Sequence, residues 1–149
     1  MQIAHKRGLE DREDRMILIF GGAFQGKLEY AEKNFDIASV CDCGAACDDT
    51  EGKSFEECLP DFSKDAVCSL EKFVLRCVDE GVEAVDYFRE NRDKWQDSIL
   101  ILTDVSQGIV PMEARLREFR EMNGRLMVYL AGEAQQVIRV FCGIGKKVK

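Results

Sequence analysis

Long apolar runs are missing from this 149-residue chain. The longest, Met16–Phe20 and Ile99–Leu102, fall far short of the roughly 18 residues that span a bilayer, and the first fifteen residues hold too many charges for a signal peptide. No membrane partner and a cytoplasmic location are therefore expected. Proline is scarce, 2 residues beside 12 glycines, which excludes collagenous and mucin-like chains. Basic charge is in deficit. With 21 Lys and Arg against 28 Asp and Glu the formal net charge is −7, so the surface has no general attraction for phosphate backbones, and nucleic acid is not an expected partner.

Paired metal hooks are also missing. The 7 cysteines are odd in number and follow no secretory signal, so reduced thiols are expected and not a disulfide framework. Cys41, Cys43, Cys47 and Cys58 could together supply four thiolates to zinc, yet their spacing lacks the C-x2-C pairs of most structural zinc sites. Ordinary thiols are the preferred reading, and a zinc-stabilised segment is the alternative.

What is present is the balance of a packed domain: 46% apolar and 33% charged residues. Residues 1–15 alternate charge signs without an apolar period and read as a solvated arm, leaving residues 16–149 as one domain in which Met16 could be the functional start. Met16–Phe20 reads as a strand buried on both faces and Lys27–Asn34 as the helix after it. A second strand is expected at Ile37–Val40, followed by a long irregular segment from Cys41 to Asp65 where substrate contacts would lie.

Helical spacing then resumes from Leu70, with Gly81 as a stop and Val82, Val85 and Phe88 on a second helix. Ser98–Asp104 is the clearest strand. Leu116, Phe119, Asn123, Leu126, Met127, Leu130 and Ala134 trace the stripe of a long helix, and Gln136–Cys142 reads as the last strand. This alternation implies an α/β fold of three layers with a mostly parallel sheet.

One loop carries chemistry. Gly21, Gly22, Ala23, Phe24, Gln25, Gly26, Lys27 and Leu28 fit the phosphate-binding pattern G-x-x-x-x-G-K-S/T everywhere but at the last position. The match sits between a buried strand and a helix, where backbone N–H groups and the helix N-terminus can surround a phosphate and Lys27 can act on the terminal phosphates of ATP or GTP. Leu28 offers no lone pair where Ser or Thr normally meets Mg²⁺. Asp104, closing the second strong strand, has the form of a Walker B carboxylate and could hold the metal instead.

Three stretches together resemble the bifunctional adenosylcobinamide kinase/adenosylcobinamide-phosphate guanylyltransferase family of cobalamin biosynthesis, and in particular short, divergent members of it. They are Gly21 through Gly26-Lys27 to Ala31-Glu32, Asp104-Val105 through Gly108 to Pro111, and Arg117 through Phe119-Arg120 and Gly124-Arg125-Leu126 to Ala131. The resemblance implies a P-loop NTPase fold of the RecA-like kind, a nucleoside triphosphate and a corrinoid (adenosylcobinamide) as substrates, and a homo-oligomer with a trimer as the leading expectation.

It also implies a histidine after the second strand that carries GMP covalently, and the single histidine here, His5, lies ahead of the first strand. Thr103-Asp104 stands where the family usually has Asn-Glu. A kinase-like protein without the covalent guanylyl step is therefore expected, with a degenerate P-loop module that binds nucleotide without turnover as the second reading. Arg120 and Arg125 lie about 140° apart around a helix, so they read as separate surface or interface cations and not as one clamp.

Overall fold

The computed structural model describes residues 15–47, 53–106 and 108–149, apart from the side chains of residues 46 and 47. The charged arm, Arg15 excepted, and His5 lie outside the described residues. Strand β1 (Ile17–Gly21) runs through the middle of a six-stranded sheet, and helix α1 (Lys27–Asn34) follows it. The chain continues through β2 (Val40–Asp42), α2 (Cys43–Cys47), a 3-10 turn at Phe55–Cys58, and β3 (Ala66–Cys68). Then come α3 (Leu70–Glu80), α4 (Ala84–Glu90), α5 (Arg92–Trp95), β4 (Ile99–Thr103), α6 (Ala114–Glu133) and the hairpin β5 (Gln136–Phe141) and β6 (Ile144–Lys147).

The strand order is β2-β3-β4-β1-β5-β6, parallel throughout except for the β5–β6 hairpin. This is the mostly parallel α/β sheet that the alternation of elements implies. Alternate residues of β1 and β4 face opposite layers, as the two-residue period of a strand requires. Leu18, Leu100 and Leu102 join the core beneath α3, α4 and α6, while Ile17, Ile19, Ile99 and Ile101 meet Ala31 of α1 on the other face. Burial on both sides explains why these strands read as unbroken apolar runs.

The larger layer is consolidated by aromatic rings. Phe73, Phe88 and Trp95 are fully buried, with Phe88 in contact with Phe62, Phe73, Tyr87 and Trp95 at centroid separations of 5.5–6.2 Å. The Trp95 indole N–H donates to the Phe88 carbonyl (2.8 Å), so the one polar atom of the ring is satisfied inside the core. On α6, Asn123, Leu126 and Leu130 of the expected stripe are buried, together with Met122, which the stripe does not include. Among the described residues no helix is long and apolar enough to cross a membrane.

Three expectations need correction. The second strand is Val40–Asp42 and not Ile37–Val40; Ile37 packs in the loop after α1 instead. The stretch from Cys41 to Asp65 is less irregular than expected, since it holds the end of β2, α2 and the 3-10 turn. Gln136–Cys142 is not the last strand: β5 ends at Phe141, Cys142 and Gly143 take φ of 52° and 78°, the left-handed pair that closes a two-residue hairpin, and β6 then pairs with β5.

Close approach makes Gly21 indispensable. A Cβ there would lie 2.3 Å from the carbonyl oxygen of Val140 on β5, whereas a Cβ at Gly124 on α6 would meet nothing within 4 Å. Gly21→Ala is therefore expected to cost about 1–3 kcal/mol through forced displacement of backbone, and Gly124→Ala to add about 0.5–1 kcal/mol by relieving glycine in a helix interior. Chemical denaturation of the two variants checks both signs, and equal stability of Gly21→Ala and the parent would contradict the packing described.

Candidate functional site

The loop from Gly21 to Lys27 leaves the carboxyl end of β1 and enters α1, with Gly26 at the helix N-cap in the left-handed region (φ 84°). The carbonyl of Gly21 accepts the Asp104 N–H (2.9 Å), tying the loop's first residue to the end of β4. Its other end is held by the β5–β6 turn. The Gly143 N–H donates to the Gln25 carbonyl (2.8 Å), and the Cys142 N–H donates to Gln25 Oε1 (2.7 Å). Thus both neighbours of β1 in the sheet grip the loop, and Phe24 at its tip is fully exposed with φ 59°.

Lys27 begins α1 and is half-buried. Its Nζ donates to the carbonyl of Gly22 (2.7 Å), which draws the ammonium back across the loop. Burial pulls the Lys27 pKa below the ordinary lysine value, opposed by the negative charges of Glu71 and Glu29 and by Cys68. A partly desolvated ammonium beside a loop of backbone amides at a helix N-terminus has the chemistry to receive an anion.

Beside Lys27 opens a cleft of about 710 Å³, whose walls include Gly26, Lys27, Leu28, Asp42, Glu71 and Thr103. Glu71 sits in the first turn of α3 and reaches across to β4, where its Oε1 accepts the Thr103 N–H (2.9 Å). Its Oε2 makes no hydrogen bond among the described residues. Residue-level reading missed Glu71 because a glutamate near a helix start reads as a capping charge; the signal available was its place in the first turn after a short strand.

Leu28 packs against the core under α1 and also lines the cleft, so its side chain is explained by packing and supplies no metal ligand. Asp104 is placed differently from Glu71. It stands at the end of β4 next to the loop but does not line the cleft, and its Oδ1 accepts from the backbone N–H (2.9 Å) and hydroxyl (2.5 Å) of Ser106. Arg120 donates to the Ser106 carbonyl and so steadies that turn, while Arg125 pairs with Glu83 of the α3–α4 connection (2.8 Å). The two arginines do not converge.

The cysteines divide by environment. Cys43 and Cys58 are buried in the core. Cys41 is lowered to about 6, chiefly by a hydrogen bond from the Cys43 side chain, with the Asp61 N–H (3.4 Å) adding to it. Cys68, at the cleft, is raised to about 11 by burial and by the neighbouring Asp42. Among the described residues no group of three or more His, Cys, Asp or Glu side chains is arranged to hold a metal ion, and the Cys47 side chain lies outside them. Mg²⁺ makes a smaller demand, because one or two carboxylates plus substrate phosphates suffice for it. The second carboxylate oxygen of Glu71 and the Thr103 hydroxyl are hard oxygen donors on residues that line the same cleft as Lys27.

The bifunctional adenosylcobalamin biosynthesis protein of Escherichia coli strain K12 is 41% identical to this chain over 51 residues, which are 34% of this chain and 28% of that protein. The profile of the cobinamide kinase / cobinamide phosphate guanyltransferase family matches residues 57–148, the region that runs from the 3-10 turn through α3, β4 and α6 to the closing hairpin. Loop 21–27 precedes the matched region, so its reading rests on its own residues and geometry. With well over half of its length matched, the chain belongs to the cobinamide kinase / cobinamide phosphate guanyltransferase family.

Proposed function

We propose that the chain is a P-loop phosphotransferase that moves the terminal phosphoryl group of ATP or GTP to a corrinoid acceptor of the adenosylcobinamide type. The observation that carries this reading is the half-buried Lys27, held by the Gly22 carbonyl at the mouth of a cleft that Glu71 and Thr103 also line. The loop amides would take the phosphate chain, and Lys27 would exchange the Gly22 carbonyl for the terminal phosphate oxygens.

In such a transfer an acceptor hydroxyl oxygen forms a bond to the terminal phosphorus while the bond to the bridging oxygen breaks, leaving a nucleoside diphosphate. The hydroxyl proton passes to a carboxylate of the cleft or to water. Positioning and charge stabilisation supply most of the catalysis, so no covalent enzyme group is needed. A magnesium ion, when bound, neutralises charge on the phosphate oxygens. Glu71 and Thr103 are assigned to hold it, with Asp104 fixing the β1–β4 junction through Gly21. The depressed pKa of Lys27 rises when phosphate replaces a neutral carbonyl as its partner.

The covalent guanylyl step has no group to carry it in this reading. A phosphoramidate needs a nucleophilic imidazole beside the α-phosphate; the single imidazole, His5, precedes β1, and Lys27 is an ammonium engaged with the terminal phosphates. The second reading, nucleotide binding without turnover, draws on Leu28 in the metal-facing position.

Incubation with Mg²⁺, ATP or GTP and adenosylcobinamide, followed by mass spectrometry, is expected to give a phosphorylated corrinoid and to leave the intact protein mass unchanged. A GMP adduct on the denatured protein would contradict the missing step, and binding without product would favour the second reading.

Glu71→Gln retains an acceptor for the Thr103 N–H but removes the charge. It is expected to abolish the strengthening of nucleotide binding by Mg²⁺ while leaving metal-free binding equal or tighter, and Leu28→Thr is expected to increase that Mg²⁺ effect. Calorimetric titration with and without metal checks both, and an unchanged Mg²⁺ effect in Glu71→Gln would remove Glu71 from the metal site.

A further inference from the structure

Two thiols at the end of the edge strand β2 are set against each other. Cys41 and Cys43 flank Asp42 and pack on the same core cluster. Cys43 is fully buried there, whereas Cys41 sits at the rim and stays partly exposed. We propose that Cys41 is an oxidation site for hydroperoxides, with Cys43 as the resolving thiol that converts it to a Cys41–Cys43 disulfide. The proposal stands on this pair and does not depend on the P-loop reading.

The surroundings of Cys41 favour its thiolate. The sulfur accepts hydrogen bonds from the Cys43 thiol and from the backbone N–H of Asp61 (3.4 Å), which lies just beyond the 3-10 turn. Two donors on one sulfur stabilise negative charge there. Burial and the negative charges of Asp61 and Asp42 act the other way, and the balance brings the Cys41 pKa down to about 6. On the neighbouring strand β3, Cys68 is kept protonated, its pKa raised to about 11 by burial and by Asp42. Cys41 and Cys43 thus divide the two roles of thiol chemistry: a thiolate near neutral pH, and a protonated partner within hydrogen-bond reach of it.

Access narrows the choice further. Cys58, Cys68 and Cys77 are buried, and Cys142 is exposed on the hairpin turn. A reagent in solution therefore meets Cys142 as readily as Cys41, and the contrast between them separates thiolate character from exposure.

In the first step the Cys41 thiolate attacks one peroxide oxygen. An S–O bond forms, the O–O bond breaks, and the departing hydroxide or alkoxide takes a proton from solvent, leaving a sulfenic acid. In the second, the Cys43 sulfur gives up its proton and attacks the Cys41 sulfur; an S–S bond forms, the S–O bond breaks, and water leaves. The peroxide gains two electrons and the sulfur pair loses two. A disulfide closed over a single residue is strained, and strained disulfides are readily reduced, so a dithiol reverses the change. The residue enclosed is Asp42, which accepts the Gly44 N–H (2.8 Å) and with Gly44 lines the cleft beside Lys27.

The test uses the full chain in its reduced form. Limiting iodoacetamide below neutral pH, with the site mapped by mass spectrometry, is expected to alkylate Cys41 first, and the Cys41 rate to be half-maximal near pH 6 and level above neutrality. Glutathione, an ordinary thiol of pKa about 8.5, gains reactivity throughout that range. Hydrogen peroxide is then expected to remove two hydrogens from the peptide that carries both residues, with fragmentation placing the bond between Cys41 and Cys43, and dithiothreitol to restore them. Cys47→Ser should keep this bond. Cys43→Ala should lose it and leave Cys41 as a sulfenic acid that dimedone captures; if that variant does not fold, the bond mapped in the parent decides. First alkylation at another cysteine, a Cys41 rate that climbs with pH as glutathione does, or a peroxide-induced bond that joins any other pair would overturn the proposal.

Discussion

Everything around the proposed phosphate loop depends on how closely β1 and β5 approach at Gly21. The Val140 carbonyl occupies the space that any side chain at Gly21 would need, and the Gly21 carbonyl is at the same time the acceptor for Asp104 at the end of β4. One residue without a side chain thus joins three strands at their carboxyl ends. In parallel sheets the ligand crevice lies at those ends, and here the junction fixes where the loop departs, which side Lys27 takes and how far the hairpin stands from Gln25. A wider residue would separate β1 from β5 and loosen both grips on the loop together.

Electrostatics then gives the junction a purpose. Lys27 is held partly out of water with a neutral carbonyl as its hydrogen-bond partner, and burial lowers its pKa. Glu71 opposes that shift while spending one oxygen on the backbone of Thr103. A cation and a carboxylate that line one cleft suit the ligand proposed above, which carries both a phosphate and a divalent metal. The same positions in a plain structural role would be better served by a direct ion pair, which would satisfy both charges at once.

Much of this was legible in the residues. Met16–Phe20 and Ser98–Asp104 announce themselves because strands covered on both faces are apolar without interruption, and the glycines and lysine of the loop fall between strand and helix where the pattern requires. Strand β3 escaped notice because three residues, Ala66 to Cys68, are too few to show a period, and only pairing with β2 and β4 makes them a strand. Strand β6 escaped because Ile144–Lys147 has one large apolar residue and lies at the sheet edge; its existence follows from the left-handed turn at Cys142 and Gly143. Asp104 was legible as a strand-end carboxylate, but its engagement with Ser106 and its position outside the cleft are tertiary facts, as is the reach of Glu71 from α3 to β4. The family match covers residues 57–148, so it reinforces the second half of the sheet while the loop stands on its geometry.

The central claim is that Lys27 belongs to a triphosphate and not to the core. The most direct measurement is calorimetric titration of the parent and Lys27→Ala with Mg²⁺-ATP and Mg²⁺-GTP, alongside thermal melts of both proteins. Loss of a charge-assisted phosphate contact predicts an affinity lower by about tenfold or more, with the melting temperature of the free protein nearly unchanged. Equal affinity of parent and variant, or a collapse in stability that accounts for the loss, would contradict the account.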